Sequence, residues 1–219
     1  MALIYDAELK PGKLEAVAQW LPLQAWFDGD EVPELTKVAA YRFDDPDGEV
    51  GIETLLVSTG EGPVLQVPLT YRAEPLPEHG PASLVTTMEH SVLGTRYVYD
   101  ATGDPVYVRA LATAILHGAG QAEQIMDGAD TPLDPTMTVT SEGSLPGHSA
   151  AETDDAAQTL DVQSAEIAGE TTVVDAGVLT VTVQHVLDLI ADSDVTAGQA
   201  RLLGSWPGHD ELVVLAALA

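Results

Sequence analysis

Apolar residues in the first 78 positions follow two spacings, one helical and one extended. The helical spacing of one buried face is seen at Leu14, Val17, Ala18 and Leu21. Pro22 ends that helix. Residues 35–43, 51–58 and 64–72 have strand character and are separated by turns rich in Gly, Pro and Asp. The pattern predicts an α+β module at residues 1–78, in which one helix covers the apolar face of an antiparallel meander.

Residues 79–139 are predicted to form a middle segment built around one helix. Asp104-Pro105 favours a helix start, because Asp accepts hydrogen bonds from free backbone amides and Pro fits the first helical position. Gly118 suits the C-terminal cap. These signals predict a helix over residues 104–117, and Gln121–Met126 is expected to add a further helical turn.

The remaining residues divide into a polar stretch and a strand-rich end. Residues 140–160 are small, polar and acidic, which is typical of a linker or loop. Residues 161–219 contain β-like segments separated by Gly or acidic turns. The predicted fold class is therefore α+β: an antiparallel sheet with a packed helix, a helix-containing middle segment and a small C-terminal β region.

The charge of the chain excludes some partners. The 219 residues carry 35 acidic and 8 basic side chains, for a net charge of −27. A protein that binds nucleic acid or an anionic membrane needs a basic surface, so neither partner is expected. Residues 101–219 hold most of the imbalance. The acidic surface either provides solubility, or it docks on a basic partner or collects divalent cations.

The sequence lacks the residues that several classes of chemistry require. There is no cysteine, so disulfides and thiol nucleophiles are excluded. The six histidines are scattered without ligand spacing, and no metal or other cofactor is expected. Neither a phosphate-binding glycine loop nor the protein-kinase signatures occur. The N-terminus has no signal-peptide pattern and no apolar run reaches membrane-spanning length, so we expect a cytoplasmic protein.

Two sets of residues remain as candidate sites. Glu89, His90, Arg96 and Asp100 form a polar group in which the histidine beside an acid could titrate or bind an anion. The alternative is a hydrogen-bonded network that holds two layers together. Trp26 and Trp206 are candidates for stacking on sugar rings, with core packing as the alternative. No catalytic residue is assigned.

The segment Trp20-Leu-Pro-Leu-Gln-Ala-Trp-Phe-Asp-Gly29 resembles the N-terminal cap region of actinobacterial maltokinases. It departs from that family at Ala25 and Asp30, where the family has basic residues. Further similarity lies at Leu65–Leu69, at Tyr99-Asp100-Ala101 and at Asp104-Pro105. With Met88–Gly94 between these elements and Gly204-Ser205-Trp206 near the end, the chain looks closest to stand-alone cap-like proteins that lack a kinase core.

The resemblance implies a cystatin-like cap and no kinase activity, because maltokinase catalysis belongs to the later lobes. It favours a non-catalytic protein that binds or modulates an enzyme of α-glucan or maltose–trehalose metabolism. A carbohydrate-binding module using Trp26 or Trp206 is the first alternative. The second is an enzyme of unrecognised type that uses Glu89, His90, Arg96 and Asp100, which requires these side chains to converge in a pocket.

Overall fold

The computed structural model describes residues 2–29, 31–60, 62–77, 82–145, 159–187, 189 and 199–219. Its helices are α1 (Lys13–Trp20) and α2 (Pro105–His117), each joined to a short 3-10 turn, at Leu21–Leu23 and at Ala101–Gly103. The strands are β1 (Ala2–Ile4), β2 (Leu9–Lys10), β3 (Thr36–Phe43), β4 (Gly51–Ser58), β5 (Val64–Arg72), β6 (Leu84–His90), β7 (Gly94–Asp100), β8 (Gln124–Met126), β9 (Thr138–Gly143), β10 (Ser164–Ala168), β11 (Thr171–Asp175), β12 (Thr180–Gln184), β13 (Val186–Leu187), β14 (Ala200–Trp206) and β15 (His209–Leu218).

The first sheet has the strand order β2-β6-β7-β5-β4-β3, and all of these neighbours are antiparallel. The predicted meander is confirmed, since β3, β4 and β5 are consecutive neighbours within it. The turn between β3 and β4 is fixed by Asp45, whose carboxylate accepts hydrogen bonds from the backbone amides of Asp47, Glu49 and Val50. The acidic run at this turn therefore forms a hairpin, as its Pro and Gly predict.

The two faces of the first sheet are covered by different layers. One face carries Leu55, Val67 and Leu69, which pack with Val17 and Trp20 of α1 in one buried cluster. The opposite face belongs to a larger cluster that also contains α2 and the second sheet, including Tyr41, Ile52, Leu56, Leu111 and Val181. Alternation along each strand produces this division, because successive side chains point to opposite faces.

The second sheet has the strand order β10-β11-β12-β15-β14-β9. It corrects the prediction of a small C-terminal β region: six strands pair in it, and β9 comes from residues 138–143. Residues 140–143 of the predicted linker therefore lie in a strand, and residues 146–158 lie outside the described residues. Strand β13 follows β12 in the chain but pairs with β5 of the first sheet, with Val186 opposite Leu65.

Helix α2 forms where the sequence predicts it. The Asp104 carboxylate accepts from the Val106 amide at 2.9 Å, and Gly118 ends the helix with a φ of +68°. The helical turn expected at Gln121–Met126 is wrong. Gln124–Met126 is instead the strand β8, which pairs in parallel with β1. A pairing partner about 120 residues away in sequence overrides the weak local preference of so short a segment.

The fold consists mostly of antiparallel sheets with two short helices, so it contains more β structure than the predicted α+β arrangement. The packed helix on the first sheet is confirmed. The boundaries proposed between the segments 1–78, 79–139, 140–160 and 161–219 stay a prediction, although the larger core cluster joins residues from both sheets. Within the described residues, no helix is both long and apolar enough to cross a membrane.

Candidate functional site

A groove with a volume of about 410 Å³ opens at the end of the first sheet, on the face that carries α1. Its lining includes the cationic side chains of Lys13, Arg42 and Arg96, together with His90. Lys13 is the first residue of α1, Arg42 lies on β3, and the other two lie on the β6–β7 hairpin. Elements distant in sequence therefore contribute positive charge to one recess.

Glu53 lies beside the groove and joins two of these cations. Its Oε2 accepts from Lys13 Nζ at 2.6 Å and from the Tyr71 hydroxyl at 3.0 Å, and its Oε1 is 3.2 Å from an Arg42 terminal nitrogen. Strand register explains the arrangement, because Arg42 is directly opposite Glu53 and Tyr71 is its diagonal neighbour. A buried carboxylate is tolerated here because it is paired and hydrogen-bonded.

The pKa values in this network follow from burial and charge. Burial raises the pKa of Glu53, but the opposing effects of Arg42 and Lys13 outweigh it and hold the pKa at about 2. Burial lowers the pKa of Lys13, and the Glu53 charge partly offsets this. Burial and the Glu53 charge together raise the pKa of the Tyr71 hydroxyl well above its usual value. Glu53 is therefore ionised and Tyr71 is a neutral donor at neutral pH.

His90 and Arg96 keep polar groups available at the other side of the groove. His90 Nδ1 accepts from the backbone amides of Val92 and Leu93 at 3.2 and 3.1 Å. The neutral ring must then carry its proton on Nε2, which is a donor. Arg96 donates to the Thr95 carbonyl and forms no ion pair within the described part of the chain. Partial burial and the charges of Arg96 and Lys13 lower the pKa of His90.

The β3–β4 turn contributes negative charge to the opposite wall. Asp44, Asp45 and Glu49 all line the groove there. The Asp45 carboxylate is occupied by three backbone amides of its own turn. Exposed apolar side chains also line the groove, among them Leu3 and Leu93. The groove is therefore polarised along its length, with an acidic end and a basic end.

The predicted polar group is only partly brought together. His90 and Arg96 share the groove, but Glu89 points to the other face of the sheet, where its carboxylate accepts from the Thr95 hydroxyl at 2.9 Å. Asp100 lies four residues beyond Arg96 on β7, about 13 Å along the strand. It caps the following 3-10 turn by accepting from Thr102. The four side chains therefore do not converge on one reacting centre.

Neither candidate tryptophan presents a ring face to solvent. Trp26 and Trp206 are each 5% exposed. The Trp26 ring stacks on the imidazole of His185 at 4.4 Å, and Trp206 packs against His209 at 5.2 Å. Stacking on a sugar needs an exposed ring, so the burial of both counts against this role. Their place in the two core clusters fits the alternative of core packing.

A second polar cluster, missed at the sequence level, lies between the two sheets. Gln66 is fully buried on β5, and its Nε2 donates to the carbonyls of Gln184 and Leu215 at 2.7 and 2.9 Å. His185 is also fully buried and contacts the Thr172 hydroxyl and the Gln66 carbonyl. Burial lowers the pKa of His185, so the ring is neutral at neutral pH. This cluster ties the second sheet to the first.

Two groove residues, Lys13 and Arg42, were also missed, as was Glu53, which pairs with both beside the groove. A usable signal was present at Glu53, which is a charged residue within the apolar strand Gly51–Ser58. A charge in such a position requires a buried partner. Within the described residues, no group of three or more metal-ligating side chains is placed to hold an ion.

Comparison with known proteins agrees with the resemblance given by the tryptophan-containing segment. Residues 20–104 match the family model of the maltokinase N-terminal cap domain. No curated protein matches the chain significantly. The matched part begins at Trp20 and ends at the residue that caps α2, so it covers the first sheet apart from β2 and the short β13. This part of the chain is maltokinase N-terminal cap-like.

Proposed function

We propose that this cap-like chain is a non-catalytic cytoplasmic protein that binds or modulates an enzyme of α-glucan or maltose–trehalose metabolism. The observation that carries the proposal is the match of residues 20–104 to the maltokinase cap domain. The printed sequence contains no phosphate-binding loop and no kinase catalytic signature. A role in the context of such an enzyme, without phosphoryl transfer by this chain, agrees with both facts.

The geometry supports this function over the alternatives. An enzyme built on the predicted polar group requires Glu89 and Asp100 beside His90, and both are directed elsewhere. A sugar-binding module requires exposed tryptophan faces, and both rings are buried. Binding to a protein partner needs neither, because it uses surface shape and exposed apolar anchors.

The segment with the strongest family resemblance offers such an anchor. Leu23, which follows α1 in that segment, has 79% of its surface exposed. A matched control is Val178, which is 70% exposed in the turn between β11 and β12, outside the matched residues. We expect the partner to contact the Leu23 side of the molecule, since this surface belongs to the cap-like part.

Capture from native lysate followed by binding measurements on the purified enzyme tests the proposal. The wild-type chain should retain an enzyme of α-glucan or maltose–trehalose metabolism. Leu23→Asp should weaken the purified pair, by about tenfold for loss of an apolar anchor, whereas Val178→Asp should leave it unchanged. Recovery of no such enzyme contradicts the proposed partner. Phosphorylation of maltose by the purified chain with ATP contradicts the non-catalytic assignment.

A further inference from the structure

The groove concentrates positive charge on a strongly acidic protein. The chain has eight Lys and Arg residues and a net charge of −27, yet three of the eight line this one recess. Glu53 pairs with Lys13 and Arg42, and Asp44, Asp45 and Glu49 add negative charge on the side of the β3–β4 turn. Arg96 has no such partner among the described residues and lies on the β6–β7 hairpin with His90. The positive charge that carboxylates do not balance locally is therefore at this hairpin, beside Lys13.

Polar donors remain available within this basic end. Lys13 has 30% of its side chain exposed, and its ammonium carries three N–H donors, of which Glu53 uses one. Arg96 is engaged by a backbone carbonyl and by no carboxylate of the described residues. His90 Nε2–H forms no hydrogen bond within the same residues. These N–H donors are suited to bind the oxygens of a phosphate or a carboxylate.

The carboxylates of the β3–β4 turn determine which end of the groove an anion can occupy. Asp44, Asp45 and Glu49 lie on the β3–β4 turn, so a negative group is repelled from that end and attracted to the end formed by Lys13 and the β6–β7 hairpin. The groove also offers exposed apolar surface at Leu3 and Leu93. The volume of about 410 Å³ lies in the range of small-molecule sites.

We propose that this groove binds a small organic anion, whose phosphate or carboxylate contacts Lys13, Arg96 and His90 and whose apolar body lies against the exposed side chains of Leu3 and Leu93. The site is independent of the proposed partner enzyme, since it rests on the groove alone. The chemistry excludes cationic ligands at the basic end. It also makes binding salt-dependent, because screening weakens charge interactions at a partly open site.

Titration of the full chain with phenyl phosphate, phenylacetate and inorganic phosphate at low salt tests the site. Calorimetry gives the affinities, and the NMR signals of the His90 imidazole report the location. We expect saturable binding of an aromatic anion, with the pKa of His90 rising on binding because the ligand charge opposes those of Arg96 and Lys13. Whichever of the two aromatic ligands binds more tightly identifies the preferred anionic group.

Variants separate a built site from general charge attraction. Arg96→Ala should weaken binding about tenfold through loss of a charge-assisted contact, and Arg96→Lys should recover part of it. Lys10→Ala is the matched control, because it removes one positive charge from an exposed side chain that lies outside the groove. It should leave the affinity unchanged. Thermal unfolding of each variant confirms that it is folded.

Three results would overturn the proposal. The first is the absence of saturable binding or of any change at His90. The second is an equal loss of affinity in Lys10→Ala and Arg96→Ala, which indicates nonspecific attraction. The third concerns the apolar body: phenyl phosphate should bind about tenfold more tightly than inorganic phosphate, since its ring buries apolar surface. Equal affinities would contradict the assignment of an organic anion to this groove.

Discussion

Replacing Glu53 by glutamine removes one negative charge from the buried network while keeping the size of the side chain. In the wild-type protein the carboxylate is 7% exposed and receives hydrogen bonds from Lys13 and Tyr71 and an ion pair from Arg42. The glutamine can still accept from the Tyr71 hydroxyl. It leaves the two cations without a countercharge, and the loss of one partner of a buried ion pair is strongly destabilising.

The pKa of Glu53 gives the magnitude. A value of about 2 in the folded protein against 4.5 as the ordinary value corresponds to ~3 kcal/mol of stability at neutral pH. Breaking a buried ion pair costs ~3–5 kcal/mol in general. Because Lys13 is partly exposed and can turn toward water, we expect Glu53→Gln to lower the free energy of unfolding by about 3 kcal/mol at pH 7.

The sign of the pH dependence follows from the lowered pKa. The folded protein binds the Glu53 proton less readily than the unfolded chain, so the stabilisation is complete above pH 4.5 and is lost as the pH falls toward about 2. The difference in unfolding free energy between wild type and Glu53→Gln should therefore be constant near neutrality and shrink over this acidic range. Taking the difference cancels most of the contribution of the other carboxylates.

Urea unfolding at a series of pH values measures this difference. The fluorescence of Trp20, Trp26 and Trp206 reports the transition, because all three rings are buried in the folded protein. Glu49→Gln is the control, since it removes the same charge from an exposed side chain of the neighbouring turn. A loss below about 1 kcal/mol at pH 7, as for a surface pair, would refute the reasoning, and so would a loss that does not change with pH.

Three further substitutions test other parts of the structure by urea unfolding. Asp104→Ala removes the carboxylate that caps α2 and that binds Thr70 and Arg72. It should lower the free energy of unfolding by ~3–5 kcal/mol. A loss under about 1 kcal/mol would contradict this structural role of Asp104. Gln66→Met leaves two carbonyls of the second sheet without their donor. It should lower the free energy of unfolding by ~1–3 kcal/mol and speed amide exchange in β12 and β15. Unchanged exchange would count against the bridging role. Gly143→Ala should cost more than about 2 kcal/mol, because φ is +86° and an added Cβ meets the Gln199 carbonyl. Gly169→Ala is the control: its φ is +63° but no atom lies near an added Cβ, so it should cost about 1 kcal/mol. Equal losses would refute the steric argument.

Local signals in the sequence predict much of the first sheet and both helices. The strands predicted at residues 35–43, 51–58 and 64–72 agree closely with β3, β4 and β5. Asp104 and Gly118 mark the limits of α2. These elements are determined by turn residues, caps and apolar spacing, all of which act within a few residues of the chain.

Pairings between distant segments were not predictable in the same way. Strand β9 lies partly in a stretch whose small polar residues favour a loop, and it becomes a strand because β14 is its neighbour in the second sheet. Strand β13 has two residues, too few for a pattern, and exists because β5 offers a free edge there. Such pairings depend on which edges the rest of the fold leaves open.

The candidate site shows the same division. The sequence by itself determined that the chain is acidic, lacks cysteine and kinase signatures, and carries a cap-like segment around Trp20 and Trp26. Only the tertiary structure decided that His90 and Arg96 share a groove with Lys13 while Glu89 and Asp100 do not. Strand alternation, register and the position of α1 fix which side chains meet, and these are properties of the packed sheet rather than of neighbouring residues.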